Sequence, residues 1–508
     1  MDVLIASTAL AVSLFLIYRG TRRSTSKSIP IPGPPPHPFV GHTFQVPTTK
    51  TWKYFEKLSH EYGPIVKVTL AGDDIVVLSD PADAEELLGR RSAIYSSRRP
   101  LVYAGKYRSG NMRMSQMPYG PNLRKQRAAF HQMLQPQALG GYEPIQHNES
   151  LHLLLDLIKT PENFYVHFQR FSASLIFTLT FGQQIDDDDK ALDEIIGLLI
   201  TFVQDINPSA HLVDTFPILD RLPDFLSPWR AEARHKHQLE LNLYGRLSSG
   251  VKTQMEKDAG IECFTARLWD QQKKLGLTDK ELFYVAGTAF IAGTDTSSIS
   301  LLWFVVAMAL YPEAMKKAQA EIDLIFDSDT LPRFSKMEDL PYCCALVREV
   351  LRWGPAAPLS IPHYLDVDDE YKGYTIRKGT TVIPSIWNMH HNEALFPNPY
   401  TFDPDRFLSE KSGTDNVVDS LAEGHYGFGF GRRKCPGQHM GTKSTWIAIV
   451  RVLWAFNIQP RKDASGNDME INPENCTSGL TVRPEEFPVD FVPRSAGHLE
   501  TIKSEGRI

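Results

Sequence analysis

One long apolar segment limits the fold of this chain more than any other feature of its sequence. Residues 278–311 read TDKELFYVAGTAFIAGTDTSSISLLWFVVAMALY, with a capping-box pair, Thr278 and Glu281, at the start and Pro312 just after the end. A helix of about thirty residues spans roughly 45 Å, and this one is apolar on nearly every side. The segment therefore predicts a helix buried in a large body. A transmembrane position is the alternative, but Asp295 would then lie unfavourably near the bilayer centre.

The centre of this helix is polar. Residues 292–297 read AGTDTS, and glycine, threonine, aspartate and serine are indifferent or poor helix formers. A hydroxyl there can bond to a backbone carbonyl and weaken the helix locally, while Gly293 lets a bulky group approach the backbone. Two interpretations stay open from these residues alone. One is a polar kink packed against another helix, and the other is a groove where a small ligand and water meet the acid Asp295 and the alcohol Thr296.

Cys435 stands in a second constrained segment, residues 428–437, which reads FGFGRRKCPG. Its glycines permit tight turns, and its basic residues and a helix start just beyond it favour a thiolate. Such a thiolate acts as a nucleophile or as a metal ligand, and the nearby His439 keeps a nucleophile–base pair open. The chain has only five cysteines in 508 residues. This odd, scattered set argues against a disulfide framework and for a reducing compartment.

Shorter patterns complete the fold prediction. Residues 65–80 read as two strands around a Gly-Asp turn, and residues 371–385 form a second strand-rich stretch among long helical segments. Glu349 and Arg352 are spaced i, i+3, which places both on one helix face, and Arg406 lies in a proline-containing loop. Taken alone, these three residues predict no more than a surface ion pair and a loop arginine.

The first residues differ from the rest of the chain. Residues 3–18 are apolar and uncharged, and three arginines follow by residue 23. The run is slightly short for a spanning helix, but the basic residues after it predict an uncleaved signal anchor with the following chain on the cytoplasmic side. A cleaved signal peptide is the alternative. Residues 29–39 are rich in proline and predict a stiff hinge. The net charge of −6 gives no indication of nucleic-acid binding.

Together these motifs resemble those of the cytochrome P-450 family, in the same order and over essentially the whole chain. The segment around Cys435 resembles the haem-ligand loop, AGTDTS resembles the oxygen-activating helix, and three charged residues resemble the family's structural Glu-Arg-Arg network: Glu349, Arg352 and Arg406. The anchor and proline hinge resemble those of microsomal members. The sequence is similar to fungal members near O-methylsterigmatocystin oxidoreductase.

The resemblance implies a mainly α fold, with a large helical domain, the long central helix over the haem, and a small β-rich N-terminal region. It divides the chain into a transmembrane signal anchor (1–18), a basic and proline-rich hinge (19–38), a catalytic domain (39–495) and a C-terminal tail (496–508). It also implies a single-pass protein of the endoplasmic reticulum membrane whose catalytic domain is cytoplasmic.

The resemblance further implies roles for individual residues, with Cys435 as the axial thiolate ligand of haem b and with Asp295 and Thr296 delivering protons to bound O2. The helix over a propionate usually carries Trp-x-x-x-Arg. Here Leu123 stands at the tryptophan position, so we expect Arg127 to bind a propionate without the indole donor. The alternative is that Arg124 or Arg127 simply faces solvent. The implied cofactor-binding residues are Cys435, Arg433, Arg127, His363, Phe428, Gly429 and Gly437.

The implied activity is that of a monooxygenase that hydroxylates an apolar small molecule with O2 and electrons from NADPH. No flavin or nicotinamide motif occurs in the chain, so NADPH–cytochrome P-450 reductase is the expected partner, with cytochrome b5 as a second candidate. Expected substrate contacts are mainly apolar or small and favour a terpenoid or polyketide intermediate of fungal secondary metabolism. They lie at 98–121, 198–205, near Phe290, and at 356–361 and 477–480. The alternatives are a haem-thiolate isomerase or dehydratase that needs no O2, and a non-catalytic haem-binding protein.

Overall fold

The computed structural model describes residues 29–134, 140–183, 190–207, 210–257, 260–408 and 421–506, with the backbone alone at 190–193. The predicted signal anchor and the first part of the predicted hinge lie outside the described residues. The rest of the hinge runs without a helix and lies against a strand, since the Lys67 amide donates to the Pro32 carbonyl (2.8 Å). These proline-rich residues therefore pack on the folded body.

The described part of the chain is mainly helical, which confirms the predicted fold class. Its α-helices are α1 Thr51–Tyr62, α2 Pro81–Ala84, α3 Ser92–Tyr95, α4 Pro121–Leu134, α5 Glu143–Lys159, α6 Phe164–Phe181, α7 Lys190–Asp205, α8 Leu212–Thr215, α9 Pro228–Lys257, α10 Phe264–Leu275, α11 Asp279–Leu310, α12 Pro312–Asp323, α13 Pro341–Trp353, α14 Ile386–His390, α15 Gln438–Ala455 and α16 Ala496–Glu505. Wider π-helical turns at Glu85–Arg90 and Val102–Tyr107 lie between the early helices. Short 3-10 turns are found at Pro161–Asn163, Pro217–Arg221, Asp224–Leu226, Phe334–Asp339, Pro404–Phe407 and Gly431–Arg433.

Both predicted strand-rich stretches are present in the structure. The strands are β1 Ile65–Leu70, β2 Asp73–Leu78, β3 His363–Tyr364, β4 Asp369–Tyr371, β5 Tyr374–Ile376, β6 Thr381–Pro384, β7 Phe456–Pro460 and β8 Val489–Pro493. Ala71 (φ 49°) and Gly72 (φ 91°) turn β1 into β2, because left-handed conformations match the twist of a hairpin.

The main sheet joins distant parts of the chain. Its strand order is β1-β2-β6-β3, with β2 parallel to β6 and the other pairs antiparallel. The pairs β4–β5 and β7–β8 form separate two-stranded sheets. The β-rich region is therefore only partly N-terminal: half of the strands in its largest sheet come from residues 363–384, after most of the helices.

The long apolar helix is the centre of the body. The predicted capping box is present: the Glu281 amide donates to Thr278 Oγ1 (3.3 Å), and the Thr278 amide donates to Glu281 Oε2 (2.8 Å). α11 packs against α6, α9 and α15. It is long and apolar enough to cross a membrane, but nearly all of its apolar side chains are buried among these helices. Its burial therefore marks it as the core helix that the sequence predicts.

The C-terminal segment belongs to the same body. Residues predicted as a tail form α16, which is capped by Ser495 through a bond from the His498 amide (3.4 Å). Ile502 is fully buried and is part of the main apolar core. Because this helix contributes to the core, the folded body extends beyond residue 495, and the predicted boundary there is corrected.

Candidate active site

The loop before α15 folds back on itself at Cys435. The Cys435 amide donates to the Phe428 carbonyl (2.9 Å), which closes the loop. Gly429 (φ 70°) and Gly431 (φ 53°) adopt left-handed conformations that favour glycine. At Gly431 space also excludes a side chain, because a Cβ would lie 2.1 Å from the Leu88 carbonyl oxygen. These two glycines allow the tight turns around the cysteine.

Cys435 combines an accessible side chain with a desolvated thiol. Its side chain is exposed, yet the surrounding protein raises the pKa of the Cys435 thiol through burial, against the opposing effects of the Gly437 N–H, Arg127 and Lys434. The neighbouring charges do favour the thiolate, as the sequence predicts, but desolvation outweighs them. Gly437 caps α15 with φ −90°, an ordinary conformation, and so contributes its amide rather than a glycine-specific turn.

Three arginines and one histidine lie close together near this loop. Burial, Arg433 and Arg127 hold the pKa of Arg98 well below its usual value. The pKa of Arg433 is lowered to about 10 by burial and by Arg127, against the opposing effect of Asp366. Burial, Arg98 and Arg433 likewise hold the pKa of His363 well below its usual range. These four side chains form what we call the cationic cluster: Arg98, Arg127, Arg433 and His363.

The cationic cluster bonds to backbone carbonyls. Arg98 donates through Nη1 to the carbonyls of Ile361 and Pro362 (both 2.7 Å). Arg433 donates through Nε to the Ser96 carbonyl (2.6 Å). Arg127 donates through Nη2 to the Lys434 carbonyl (2.9 Å). Among the described residues, no carboxylate forms an ion pair with any of these arginines. Buried positive charge without an acid is unfavourable unless an anion binds there.

The middle of α11 also borders open space. Ala292 and Thr296 are exposed, although most residues around them on this core helix are buried. They lie one turn apart, and Thr296 Oγ1 donates to the Ala292 carbonyl (2.9 Å). The threonine hydroxyl therefore keeps its lone pairs available to accept a hydrogen bond. Between Asp279 and Leu310 the helix is continuous, so the hydroxyls do not interrupt it.

Other residues of this segment contact protein. Asp295 is only 9% exposed, and its Oδ2 accepts a hydrogen bond from Thr481 Oγ1 (2.9 Å). A Cβ at Gly293 would lie 2.9 Å from the Ile176 side chain, so the group that approaches the backbone here is helix α6. Phe290 is fully buried and therefore does not line an open cavity.

Glu349, Arg352 and Arg406 lie together in the core. Arg352 donates through Nε and Nη2 to the two carboxylate oxygens of Glu349 (2.7 and 2.8 Å), and Arg406 donates through Nε to Oε1 (3.2 Å). Glu349 and Arg352 are fully buried. The pair that looks like a surface ion pair in the sequence is therefore an interior network, and the Asp403 amide also donates to it (2.8 Å).

Comparison with known proteins decides the family. The family described as cytochrome P-450 matches residues 31–491. The chain belongs to the cytochrome P-450 family. Cytochrome P-450 monooxygenase 58 of Postia placenta is 36% identical over 489 residues, which cover 96% of this chain and 93% of that relative. Cytochrome P-450 monooxygenase fogE of Aspergillus ruber is 33% identical, covering 93% and 89%, and aneD of Aspergillus aculeatus is 32% identical, covering 98% and 94%.

Family membership confirms several predictions at once. This cytochrome P-450 has the predicted fold and is an enzyme of the monooxygenase class. Its cofactor is haem b, which the family binds through a cysteine thiolate. Membership also implies a reductase as redox partner and a small molecule as substrate.

The described residues of this cytochrome P-450 fit haem b. Cys435 presents an accessible sulfur, and the Gly437 N–H favours its thiolate form. Haem b carries two propionates, and the arginines of the cationic cluster supply positive groups that pair with no acid in the described part of the chain. His439 is the alternative partner for a nucleophilic cysteine. Its Nε2 lies 2.9 Å from the side-chain Nε2 of Gln438.

One buried histidine ties the cysteine loop to the Glu-Arg network. His390 is fully buried, with Nδ1 2.8 Å from the Arg352 carbonyl, and its Nε2 accepts from the Tyr426 amide (2.8 Å). Arg352 in turn donates through Nη1 to the His390 carbonyl (2.7 Å). Since Nε2 accepts, Nδ1 carries the proton, and the neutral ring bridges α13 to the start of the loop.

A second buried network lies in the segment expected to contact substrate. Arg108 and Arg113, before α4, each approach Glu240 of α9 (2.7 Å). Arg108 also pairs with Asp205 at the end of α7 (3.0 Å), and Tyr284 of α11 donates to Glu240 (3.0 Å). Part of the predicted contact segment thus forms ion pairs with α7 and α9, and a hydrogen bond from α11 joins the same network.

The sequence placed Arg98 only at the edge of a segment expected to contact substrate, and it did not single out His390 or Thr481. Arg98 is one of two adjacent arginines, and its neighbour Arg99 pairs with Asp73 at the surface. Only the fold decides which of the two points inward. Thr481 lies just beyond the 477–480 segment expected to contact substrate, and no local pattern links it to α11.

Proposed function

We propose that this cytochrome P-450 hydroxylates an apolar small molecule, with Cys435 as the thiolate that holds haem b. The observation that carries the proposal is the combination of an accessible cysteine in a tightly turned loop with nearby arginines that pair with no acid among the described residues. When bound, haem b supplies the chemistry that binds and cleaves O2, and a thiolate ligand favours that cleavage. The net reaction consumes substrate, O2, two electrons and two protons and gives the hydroxylated product and water.

The protein's residues hold the cofactor and manage protons. Arg98, Arg127 and Arg433, with His363 beside them, bind the two propionates, since the three guanidinium groups bring positive charge that pairs with no acid among the described residues. The amides of the loop from Phe428 to Gly437, including the turn at Gly429, orient the sulfur and stabilise its negative charge. Haem binding thus removes the main unfavourable charge arrangement of the site.

Thr296 and Asp295 carry the proton chemistry in this proposal. The Thr296 hydroxyl donates to the Ala292 carbonyl (2.9 Å), so its lone pairs hold a water on the exposed side of the helix. Asp295, the next residue back, passes a proton to that water and regains one from solvent. The pair therefore supplies the protons that the net reaction requires.

The proposed substrate class, electron donors and membrane location rest mainly on the sequence. An apolar compound, such as a terpenoid or polyketide intermediate of fungal secondary metabolism, suits a site whose charged groups are occupied by the cofactor or by each other. NADPH–cytochrome P-450 reductase supplies electrons, with cytochrome b5 as a second candidate. Residues 1–18 anchor the protein in the endoplasmic reticulum membrane, and exposed apolar residues between α7 and α9 support contact with that membrane: Leu212, Phe216, Ile218, Leu222, Phe225 and Leu226.

The deciding experiment removes the cysteine. Cys435→Ala should abolish the thiolate-type spectrum of the reduced, carbon monoxide-bound protein, whereas Cys476→Ala, a partly buried cysteine in another loop, should leave it intact. An unchanged spectrum in Cys435→Ala contradicts the ligand assignment. Reconstitution with reductase should then give product only when NADPH and O2 are both present. Product formed without them would favour the haem-thiolate isomerase.

A further inference from the structure

We propose that Thr481 is a positioning residue for Asp295 and determines which carboxylate oxygen releases the proton. The proposal rests on the monooxygenase function above and concerns a contact between the C-terminal loop and α11. Thr481 Oγ1 donates to Asp295 Oδ2 (2.9 Å). Among the described residues, this is the only hydrogen bond to the Asp295 carboxylate, and no cation pairs with it.

Thr481 is held in place from both sides along the chain. On one side, the Leu480 amide donates to Asn207 Oδ1 (3.3 Å). On the other, the Val482 amide donates to the Ala356 carbonyl (2.9 Å). The Val482 carbonyl accepts from Trp303 Nε1 on α11 (3.1 Å). The loop is therefore tied to α11 independently of the threonine hydroxyl, so this hydroxyl is not needed to place the loop.

The fixed hydroxyl makes the two oxygens of Asp295 unequal. Because Oδ2 accepts the Thr481 hydrogen bond, protonated Asp295 carries its proton on Oδ1. When that O–H bond breaks, the proton passes to water and the negative charge left on the carboxylate is stabilised at Oδ2 by the same hydrogen bond. A proton from solvent then restores the acid. Thr481 keeps its own proton throughout and acts only through Asp295.

A structural role for Thr481 makes a different prediction. If the hydroxyl only helped to hold the loop, isosteric Thr481→Val would lower stability, and any loss of activity would follow the loss of haem-loaded protein. If it positions the acid, Thr481→Val retains haem and substrate binding but releases more peroxide, because O2 then takes up two electrons and two protons as H2O2 instead of being cleaved to give product and water. Thr481→Ser keeps the donor and should restore the function.

The first experiment measures product formed per NADPH oxidised, with reductase in excess. We expect Thr481→Val to lower this ratio by about tenfold, with KM nearly unchanged, and Thr481→Ser to stay within about twofold of wild type. Thr501→Val is the matched control, because it removes a buried threonine hydroxyl with one backbone bond (2.8 Å) far from α11. An unchanged ratio in Thr481→Val, or an equal loss in Thr481→Ser, overturns the proposal.

The second experiment does not depend on turnover. A double-mutant cycle combines Thr481→Val with Asp295→Asn and follows the unfolding equilibrium of the haem-bound protein. We expect the double variant to depart by about fivefold or more from the product of the two single effects. Strict additivity overturns the contact on which the proposal depends. If wild type formed no product with NADPH and O2, the proposed function would fail, while the cycle would still decide whether Thr481 holds Asp295.

Discussion

Two groups of buried or partly buried arginines in this molecule differ in whether an acid neutralises their charge. Arg352 is fully buried and Arg406 largely so, and both share the carboxylate of Glu349 at 2.7–3.2 Å. Arg98 and Arg433 are held by backbone carbonyls, and their positive charges oppose one another. The first group is neutralised by the protein itself. The second group has no neutralising partner among the described residues.

The difference indicates which charges serve the fold and which serve a ligand. A buried ion is tolerated when a partner of opposite charge and hydrogen bonds replace its hydration. Carbonyl groups satisfy the N–H donors of Arg98 and Arg433 but do not cancel their charges. A propionate does both. We therefore expect changes in the paired group to alter folding, and changes in the cationic cluster to alter haem retention.

The largest effect is expected from Glu349→Ala. This change leaves two buried guanidinium groups without their shared acid, which is expected to lower the free energy of unfolding by on the order of 3–5 kcal/mol. The measurement is the yield of haem-loaded protein together with its thermal unfolding. Exposed Glu393→Ala, in the loop that follows α14, is the control. Normal yield and stability for Glu349→Ala would mean that the network is not structural.

An intermediate effect is expected from Arg98→Met. Removing one charged hydrogen-bond donor to a propionate should speed haem release by roughly 10- to 100-fold, because the anion loses a partner. Arg99→Met is a closely matched control, since Arg99 is the adjacent arginine but pairs with Asp73 at the surface. The measurement is transfer of haem to a scavenging protein. Equal release from the two variants would contradict the assignment of the cationic cluster to the cofactor.

Features set by neighbouring residues could be predicted from the sequence, whereas features set by distant contacts could not. The capping box and apolar pattern of α11 are local, so they were predicted correctly, as were β1 and β2. The roles of Arg98 and Arg99 depend on which side of the chain packs inward, and the Asp295–Thr481 contact joins residues far apart in sequence. Glu349 and Arg352 share a helix face in either setting, so their spacing could not distinguish an interior network from a surface pair.

The smallest expected effect concerns the pH dependence of stability and the buried His425. Burial, with Arg348 and Lys434, lowers the pKa of His425 to about 4, against the opposing bond to the Leu421 carbonyl. As the pH falls below about 6.5, His425 binds a proton in the unfolded chain but stays neutral in the folded protein. The free energy of unfolding therefore decreases.

His425→Gln should remove this contribution. Between pH 7 and pH 5 the free energy of unfolding of the wild type should fall by about 1–2 kcal/mol more than that of the variant. Urea unfolding of the haem-bound protein at both pH values measures the difference, with exposed His152→Gln as the matched control. Identical pH dependence in wild type and His425→Gln would mean that this ring is protonated as readily in the folded protein as in the unfolded chain. In that case burial beside Arg348 and Lys434 would not keep His425 neutral, and the charge balance of that region would need another explanation.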